Sequence, residues 1–271
     1  YRFTCTHEGH PNTSAKNAQR KKMSTEKIHA ATVEQILKHY NSDEKNREFR
    51  HLDIGSGSGE LVRHLKQYLK TNASCCDYTD SLMNLPNQPV DIVDLNTKKE
   101  VPYLDNTFDI VTATEIIEHL EDFRAIMRDV HRILKPGGIF VLSTPNILNV
   151  NSRLRYLWFG FPRLMGPLPV RNRKIESCAG HINPTSLFYI MHALCELNFR
   201  KIDYTVDKYQ RSGMVKLIFL ILPIKIWGSF IWKKEITKYK TIDESNREIV
   251  EKLNSVKTLL GRTIIVSAVK E

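Results

Sequence analysis

Short apolar runs and helical segments alternate through the middle of this chain, and that alternation limits its fold more than any other feature. His51-Leu52-Asp53-Ile54 precedes a Gly/Ser turn, a helix through Leu61, Leu65 and Leu69, and a short strand from about Ala73 to Asp77. Val90 to Leu95 and Phe108 to Thr114 read as further strands. A helix then runs through Phe123, Ile126, Met127 and Val130, and the turn Lys135-Pro136-Gly137-Gly138 leads into the run Ile139 to Thr144. Strand and helix repeating at this pitch are βαβ units, whose crossover helices leave the strands parallel in one sheet. The expected fold is α/β, a doubly wound sheet. A helix through Leu187, Ile190, Met191, Leu194 and Leu197, a strand from Lys201 to Asp207 and a last strand from Thr263 to Val269 complete it.

Before the first strand, Ile28, Ala31, Thr32, Ile36, Leu37 and Tyr40 predict an amphipathic helix from about Thr25 to Tyr40. Residues 1–22 show no periodicity and no apolar run suited to a secretory signal, and Met23-Ser24-Thr25-Glu26 looks like a natural start. The expectation is a disordered N-terminal extension over 1–22 and one domain over 23–271. Cys5, His7 and His10 in that extension are too few and too scattered for a metal site. The extension contributes five basic residues and one acid to the net charge of +10, so basicity alone does not argue for nucleic-acid binding. Five cysteines without framework spacing, two of them adjacent, predict a reducing, cytoplasmic home.

Asp53-Ile54-Gly55-Ser56-Gly57-Ser58-Gly59 lies between a strand and a helix, where glycine lets a ligand approach backbone N–H groups closely. A dinucleotide site wants glycines at positions 55, 57 and 60, and position 60 is Glu60, which disfavours a diphosphate there. With the acid at 53, the segment resembles the first motif of class I S-adenosylmethionine-dependent methyltransferases, in the type 11/23-like group of small-molecule and glycan pathways. Asp77, Asp94-Leu95-Asn96, Phe108-Asp109-Ile110-Val111, Glu118-His119-Leu120, Leu134-Lys135-Pro136-Gly137-Gly138 and Ser143-Thr144-Pro145-Asn146 follow in the family's order, from about His51 to Phe199.

The resemblance implies a Rossmann-like methyltransferase sheet, mostly parallel with a final antiparallel strand, and S-adenosylmethionine as cofactor. It implies Asp53, Gly55, Ser56, Gly57, Gly59, Asp77, Asp94, Leu95 and Thr114 as the cofactor-binding residues. The turn and its acid would take the amino-acid end, Asp77 both ribose hydroxyls, and Asp94 the adenine amino group. One departure from the family pattern is Cys75-Cys76 in the second strand, expected to be small buried hydrophobes.

A sulfonium methyl is already activated, so a base is needed only where the acceptor must lose a proton. In Glu115-Ile116-Ile117-Glu118-His119 the spacing predicts Glu115, Glu118 and His119 on adjoining faces of one helical turn. The ubiquinone-biosynthesis O-methyltransferases and the small-RNA 3′-terminal 2′-O-methyltransferases share this pattern and are associated with a divalent ion there. Glu115, Glu118 and His119 are accordingly a candidate ligand set for an ion such as Mg. His181, in Gly180-His181-Ile182-Asn183-Pro184, is a candidate fourth ligand or general base. Three readings stand side by side: a metal site, His119 or His181 as base with Glu115 beside it, or neither, with the glutamates capping a helix.

From Pro145 to Gly180 the regular pattern lapses, and residues 151–180 are expected to form a basic lid. Arg153, Arg155, Arg171 and Arg173 are its candidate acceptor-binding residues, interleaved with Tyr156, Trp158, Phe159 and Phe161. Guanidinium groups pair with phosphate or carboxylate, which suits an anionic acceptor: a phosphorylated or nucleotide-linked sugar, a lipid-linked glycan or an RNA end. A solvated loop is the plain alternative.

Residues 213–260 form an apolar and amphipathic insert before the last strand, and in Met214 to Trp232, 14 of 19 residues are apolar. Lys216, Pro223, Lys225, Gly228 and Ser229 interrupt that run, and Thr263 to Val269 must return to the same sheet, so a transmembrane span is disfavoured. The expectation is an interfacial patch with Trp227, Trp232, Lys233 and Lys234 near headgroups, or a buried subdomain or dimer surface. Glu244 to Leu260 reads as one amphipathic helix. The expected function is methyl transfer from S-adenosylmethionine to an oxygen of a saccharide or other small acceptor, in the cytoplasm with peripheral membrane contact. Its rivals are an RNA 3′-end 2′-O-methyltransferase with a divalent metal and a non-catalytic, membrane-associated scaffold of the same fold.

Overall fold

The computed structural model of the protein describes residues 11–41, 44–98, 100–168 and 180–271. Seven strands form one sheet: β1 (Phe49–Ile54), β2 (Thr71–Asp77), β3 (Val90–Ile92), β4 (Phe108–Thr114), β5 (Leu134–Pro145), β6 (Phe199–Val206) and β7 (Thr263–Lys270), in the spatial order β3-β2-β1-β4-β5-β7-β6. The first five are parallel, and β7 is antiparallel to both β5 and β6. The expected doubly wound, mostly parallel sheet with a final antiparallel strand is what the chain builds.

Strand parity divides the core. Leu52, Ile54, Phe140, Leu142, Ile264 and Val266 face one layer of helices, α3 (Phe123–Ile133) and α5 (Leu187–Glu196). Phe49, Ile139, Val141 and Ile265 face the other, α1 (Pro11–His39) and α2 (Glu60–Leu65). With both faces covered, these strands read as continuous apolar runs. A third cluster, Val150, Leu217, Leu259 and Leu260, joins α4 (Val150–Phe159), α6 (Arg211–Lys234) and α8 (Val256–Leu260).

Several boundaries differ from the sequence reading. The first helix begins at Pro11, so residues 11–22 are helical rather than irregular. Residues 1–10, with Cys5, His7 and His10, lie outside the described residues. β3 stops at Ile92, three residues short, because Asp94 turns the chain by accepting the Asn96 N–H at 3.0 Å. Lys135 to Gly138 bulge out between the pairs Phe108–Leu134 and Ile110–Ile139, within β5.

The lapse expected from Pro145 to Gly180 contains α4, started by Asn149, whose side chain accepts the Ser152 N–H at 2.9 Å, and ended by Gly160 at φ 72°. The insert's apolar run is one continuous helix, α6, carried through Pro223. The single helix expected after it is two, α7 (Arg247–Lys252) and α8, because the Ser255 side chain caps a new start by accepting the Thr258 N–H at 3.2 Å.

Candidate active site

The C-terminal ends of β1, β2, β4 and β5 share one edge of the sheet, and the glycine turn after β1 lies on it. Gly55, Gly57 and Gly59 have φ of 69°, 48° and 76°, in the left-handed region that side chains resist. The turn is tied to the end of β2: the Gly55 N–H donates to the Cys76 carbonyl and the Gly57 N–H to Asp77 Oδ2, both at 2.8 Å. Asp77 Oδ1 accepts the Tyr78 N–H at 2.7 Å. A Cβ on Gly55 would stand 1.9 Å from Ile116 Cδ1 and one on Gly59 2.7 Å from Leu85 Cδ1, whereas one on Gly57 would meet nothing within 4 Å. Gly57 is therefore where backbone faces open space.

Beyond β4 the chain makes a short 3₁₀ turn, Ile117–His119, and three side chains converge on it. Glu118 is fully buried; its Oε2 accepts from Thr144 Oγ1 at 3.0 Å, and its Oε1 has no partner among the described residues. The Glu118 carbonyl accepts the Ile182 and Asn183 N–H groups at 2.9 and 3.0 Å, which brings His181 beside His119. The two rings meet edge to face at 4.9 Å, and Nδ1 of each is buried without a partner among the described residues. Ligand atoms of Glu118, His119 and His181 all lie within 4.8 Å of one another. Unpaired polar atoms are costly to bury, so three neighbouring residues that each carry one mark a place shaped for something else.

Burial pushes the Glu118 carboxyl well above the ordinary carboxylate range, and the charge of Glu115 adds to it. Burial and the neighbouring His119 lower the basicity of His181, partly offset by a hydrogen bond between its ring and the Leu164 backbone. The turn is braced by Asn96, which donates Nδ2 to the His119 carbonyl at 3.1 Å and accepts the Glu121 N–H at 2.9 Å, and by Asn183, which donates to the Leu120 carbonyl at 3.1 Å.

A family model described as a methyltransferase domain matches residues 25–204, more than half of the chain. The chain belongs to the methyltransferase domain family. Among curated relatives of this methyltransferase, the ubiquinone/menaquinone biosynthesis C-methyltransferase of Cereibacter sphaeroides is 27% identical over 120 residues, covering 41% of this chain and 48% of that protein. Its counterpart in Desulfotalea psychrophila is 27% identical over 174 residues, covering 60% and 65%. The chain thus spans about half to two thirds of the length of these relatives. The fold is shared with a crystal structure of a SAM-dependent methyltransferase from Archaeoglobus fulgidus, at 16% identity and a TM-score of 0.55, covering 93% of this chain and 94% of that one.

Within the methyltransferase domain the expected site residues part company. Gly55, Ser56, Gly57, Gly59, Asp77, Asp94, Leu95 and Thr114 all lie along one edge of the sheet, on the glycine turn, at the ends of β2 and β4 and just after β3. Asp53 is more deeply set: its buried carboxyl accepts from Thr112 Oγ1 at 2.7 Å, and Thr112 in turn meets His51 Nε2 at 2.8 Å. Glu115 is not on one helical turn with Glu118 and His119, because its backbone takes φ 56° and the 3₁₀ turn starts after it. It bonds Ser143 and lies within the fields of Arg262 and Asp207, so the converging set is Glu118, His119 and His181 instead.

Of the lid arginines, Arg153 is spent on the Leu148 and Leu253 carbonyls and Asn254 Oδ1 at 2.6 to 2.8 Å, and Arg155 on the Phe161 and Pro162 carbonyls at 3.1 and 2.6 Å. Arg171 and Arg173 lie outside the described residues. Cys75 and Cys76 are buried as expected, and burial pushes the Cys75 thiol up to about 12. Thr144, Asn96 and Asn183 are the supporting residues that sequence reasoning gave no role. Thr144 and Asn96 do sit inside recognisable motifs, Ser143-Thr144-Pro145-Asn146 and Asp94-Leu95-Asn96.

Proposed function

We propose that this chain transfers the methyl group of S-adenosylmethionine to a hydroxyl oxygen of a saccharide or comparable small acceptor. The curated relatives are named as C-methyltransferases, so the choice of oxygen is argued from the site. The observation that carries it is the convergence of Glu118, His119 and His181, each with a buried polar atom unpartnered among the described residues, next to the glycine turn. Ile116, which covers Gly55, comes two residues before Glu118, so the two halves of the site touch.

The fit to S-adenosylmethionine rests on the open face at Gly57 and on Asp77, whose carboxylate has lone pairs left after its two backbone bonds. When bound, that cofactor supplies a methyl carried on a positive sulfur. Asp77 would accept the ribose hydroxyls, and Asp94 and Leu95 would border the adenine. His181, kept neutral by burial, takes the acceptor's hydroxyl proton at Nδ1. The acceptor oxygen would bond the methyl carbon as the C–S bond broke, leaving a thioether. The cluster of Glu118, His119 and His181 also fits a divalent cation, which would lower the pKa of the acceptor hydroxyl.

Transfer of labelled methyl to sugar nucleotides, other hydroxylated small molecules and RNA, with and without chelator, tests this reading. The expected product is a methyl ether in a small-molecule fraction. His181→Ala is expected to lower turnover by roughly 10²- to 10⁴-fold with cofactor binding intact, and Asp77→Ala to abolish cofactor binding. Product in the RNA fraction alone overturns the acceptor; no product with any fraction and no cofactor binding overturns the activity. Loss on chelation assigns the cluster to a cation.

A further inference from the structure

β6 is antiparallel to β7 and therefore parallel to β5, so α6 leaves the sheet at the same edge as the glycine turn. One face of α6 is held by the protein. Leu217 is buried, and Leu220, Ile221 and Ile224 pack with Val150, Leu154, Leu259 and Leu260. Farther along, Gly228 and Trp232 face Val250, Leu253 and Asn254 across a cleft of about 400 Å³. The opposite face is bare. Val215, Phe219, Leu222, Ile226 and Phe230 recur at spacings of three and four and are between 55% and 76% exposed. Ile218 and Trp227 widen the stripe, and neighbouring α4 adds exposed Leu157 and Trp158. Soluble surfaces seldom leave so large an apolar patch uncovered.

The margins of the stripe say what covers it. Lys225 falls on one flank, Lys216 on the other is tied to Asn151 Oδ1 at 2.7 Å, Lys233, Lys234, Lys238 and Lys240 follow at its end, and no acidic residue occurs between Arg211 and Lys234. Cations beside an apolar face, with Trp227 at the boundary, suit anionic headgroups above acyl chains. A second copy presenting the same face would set lysine against lysine. By length and composition Arg211–Tyr239 could pass for a membrane span. The held face excludes a crossing: β6 before α6, and Ile249 of α7 and β7 after it, belong to one sheet and core.

We propose that α6 lies in the plane of an anionic lipid bilayer and seats the protein on it, with the Val215 to Phe230 stripe immersed. This does not depend on the reaction proposed above. The test uses the full chain with phosphatidylcholine vesicles and with vesicles also containing phosphatidylglycerol. Co-sedimentation with the anionic vesicles, weakening as salt rises, is expected. Phe219→Glu and Phe230→Glu should each weaken it about tenfold or more, with circular dichroism unchanged; Leu222→Gln serves if either fails to fold. With Trp158→Phe and Trp232→Phe in place, Trp227 emission should be quenched most by bromines placed shallowly in the acyl chains.

Failure of the folded chain to bind anionic vesicles overturns the proposal. So does a dimer in light scattering that Phe219→Glu dissociates while vesicles are ignored, which makes the face a self-interface. Strongest quenching by bromines at the bilayer centre overturns the in-plane placement.

Discussion

Gly55 and Gly57 share a positive φ but not a neighbourhood, and their substitutions should separate accordingly. Gly57→Ala has room for its methyl, so it is expected to cost only the left-handed backbone penalty of about 1 kcal/mol while placing a methyl where the ligand must come. Gly55→Ala must displace Ile116 and should lower stability more. Thermal denaturation paired with calorimetry against S-adenosylmethionine reads both. Equal losses of stability in the two would contradict the geometry.

Asp53 makes a different prediction. Burial, opposed by the Thr112 hydrogen bond, raises its carboxyl to about 7, whereas in the unfolded chain it titrates near about 4. Between those values the folded state binds more protons, so this group's contribution is fully present below about pH 4 and is lost as pH rises through about 7. Asp53→Asn should therefore be more stable than the parent at pH 8, by an amount on the order of a few kcal/mol, and the gap should close by pH 4. Denaturant titration across pH measures it.

Asp53 also shows what the sequence withheld. Its place before the glycines was legible, but a strand covered on both faces gives no parity signal for its bond to Thr112. Glu115 misled for a related reason: spacing assumes a continuous helix, and a single left-handed residue breaks it.

Among the elements, α4 changes the meaning of a basic residue. Arg153 looked like a clamp for an anionic acceptor; it is the rivet between α4 and the Leu253–Asn254 corner, in a setting whose burial lowers its basicity. Arg153→Met is expected to destabilise the fold by about 2 to 3 kcal/mol, with turnover per folded molecule unchanged. A specific rise in acceptor KM or fall in turnover at full stability would return the residue to the substrate. The central strands and the α3 and α5 faces were legible because periodicity and burial coincide there. The continuity of α6 was not, since proline, glycine and two lysines argue locally against a helix that its packing on α4 and α8 sustains. The break between α7 and α8 hangs on one serine cap, which periodicity does not register.

On the scale of the whole molecule, β7 is the keystone of the sheet. It pairs with β5 through seven residues and gives β6 its place, and Ser267 reaches Gln35 of α1 at 3.2 Å. Removing residues 263–271 should leave no cooperative unfolding transition in calorimetry, whereas ends that carry few contacts tolerate loss; a truncated chain with a sharp transition would show the sheet closing without it. During translation, β5 and β6 wait with open edges while α6 to α8 are made, a stretch that includes the long apolar helix α6. The nascent protein is therefore most vulnerable to aggregation late in its synthesis, and a ribosome stalled within that stretch would display both sticky edges at once.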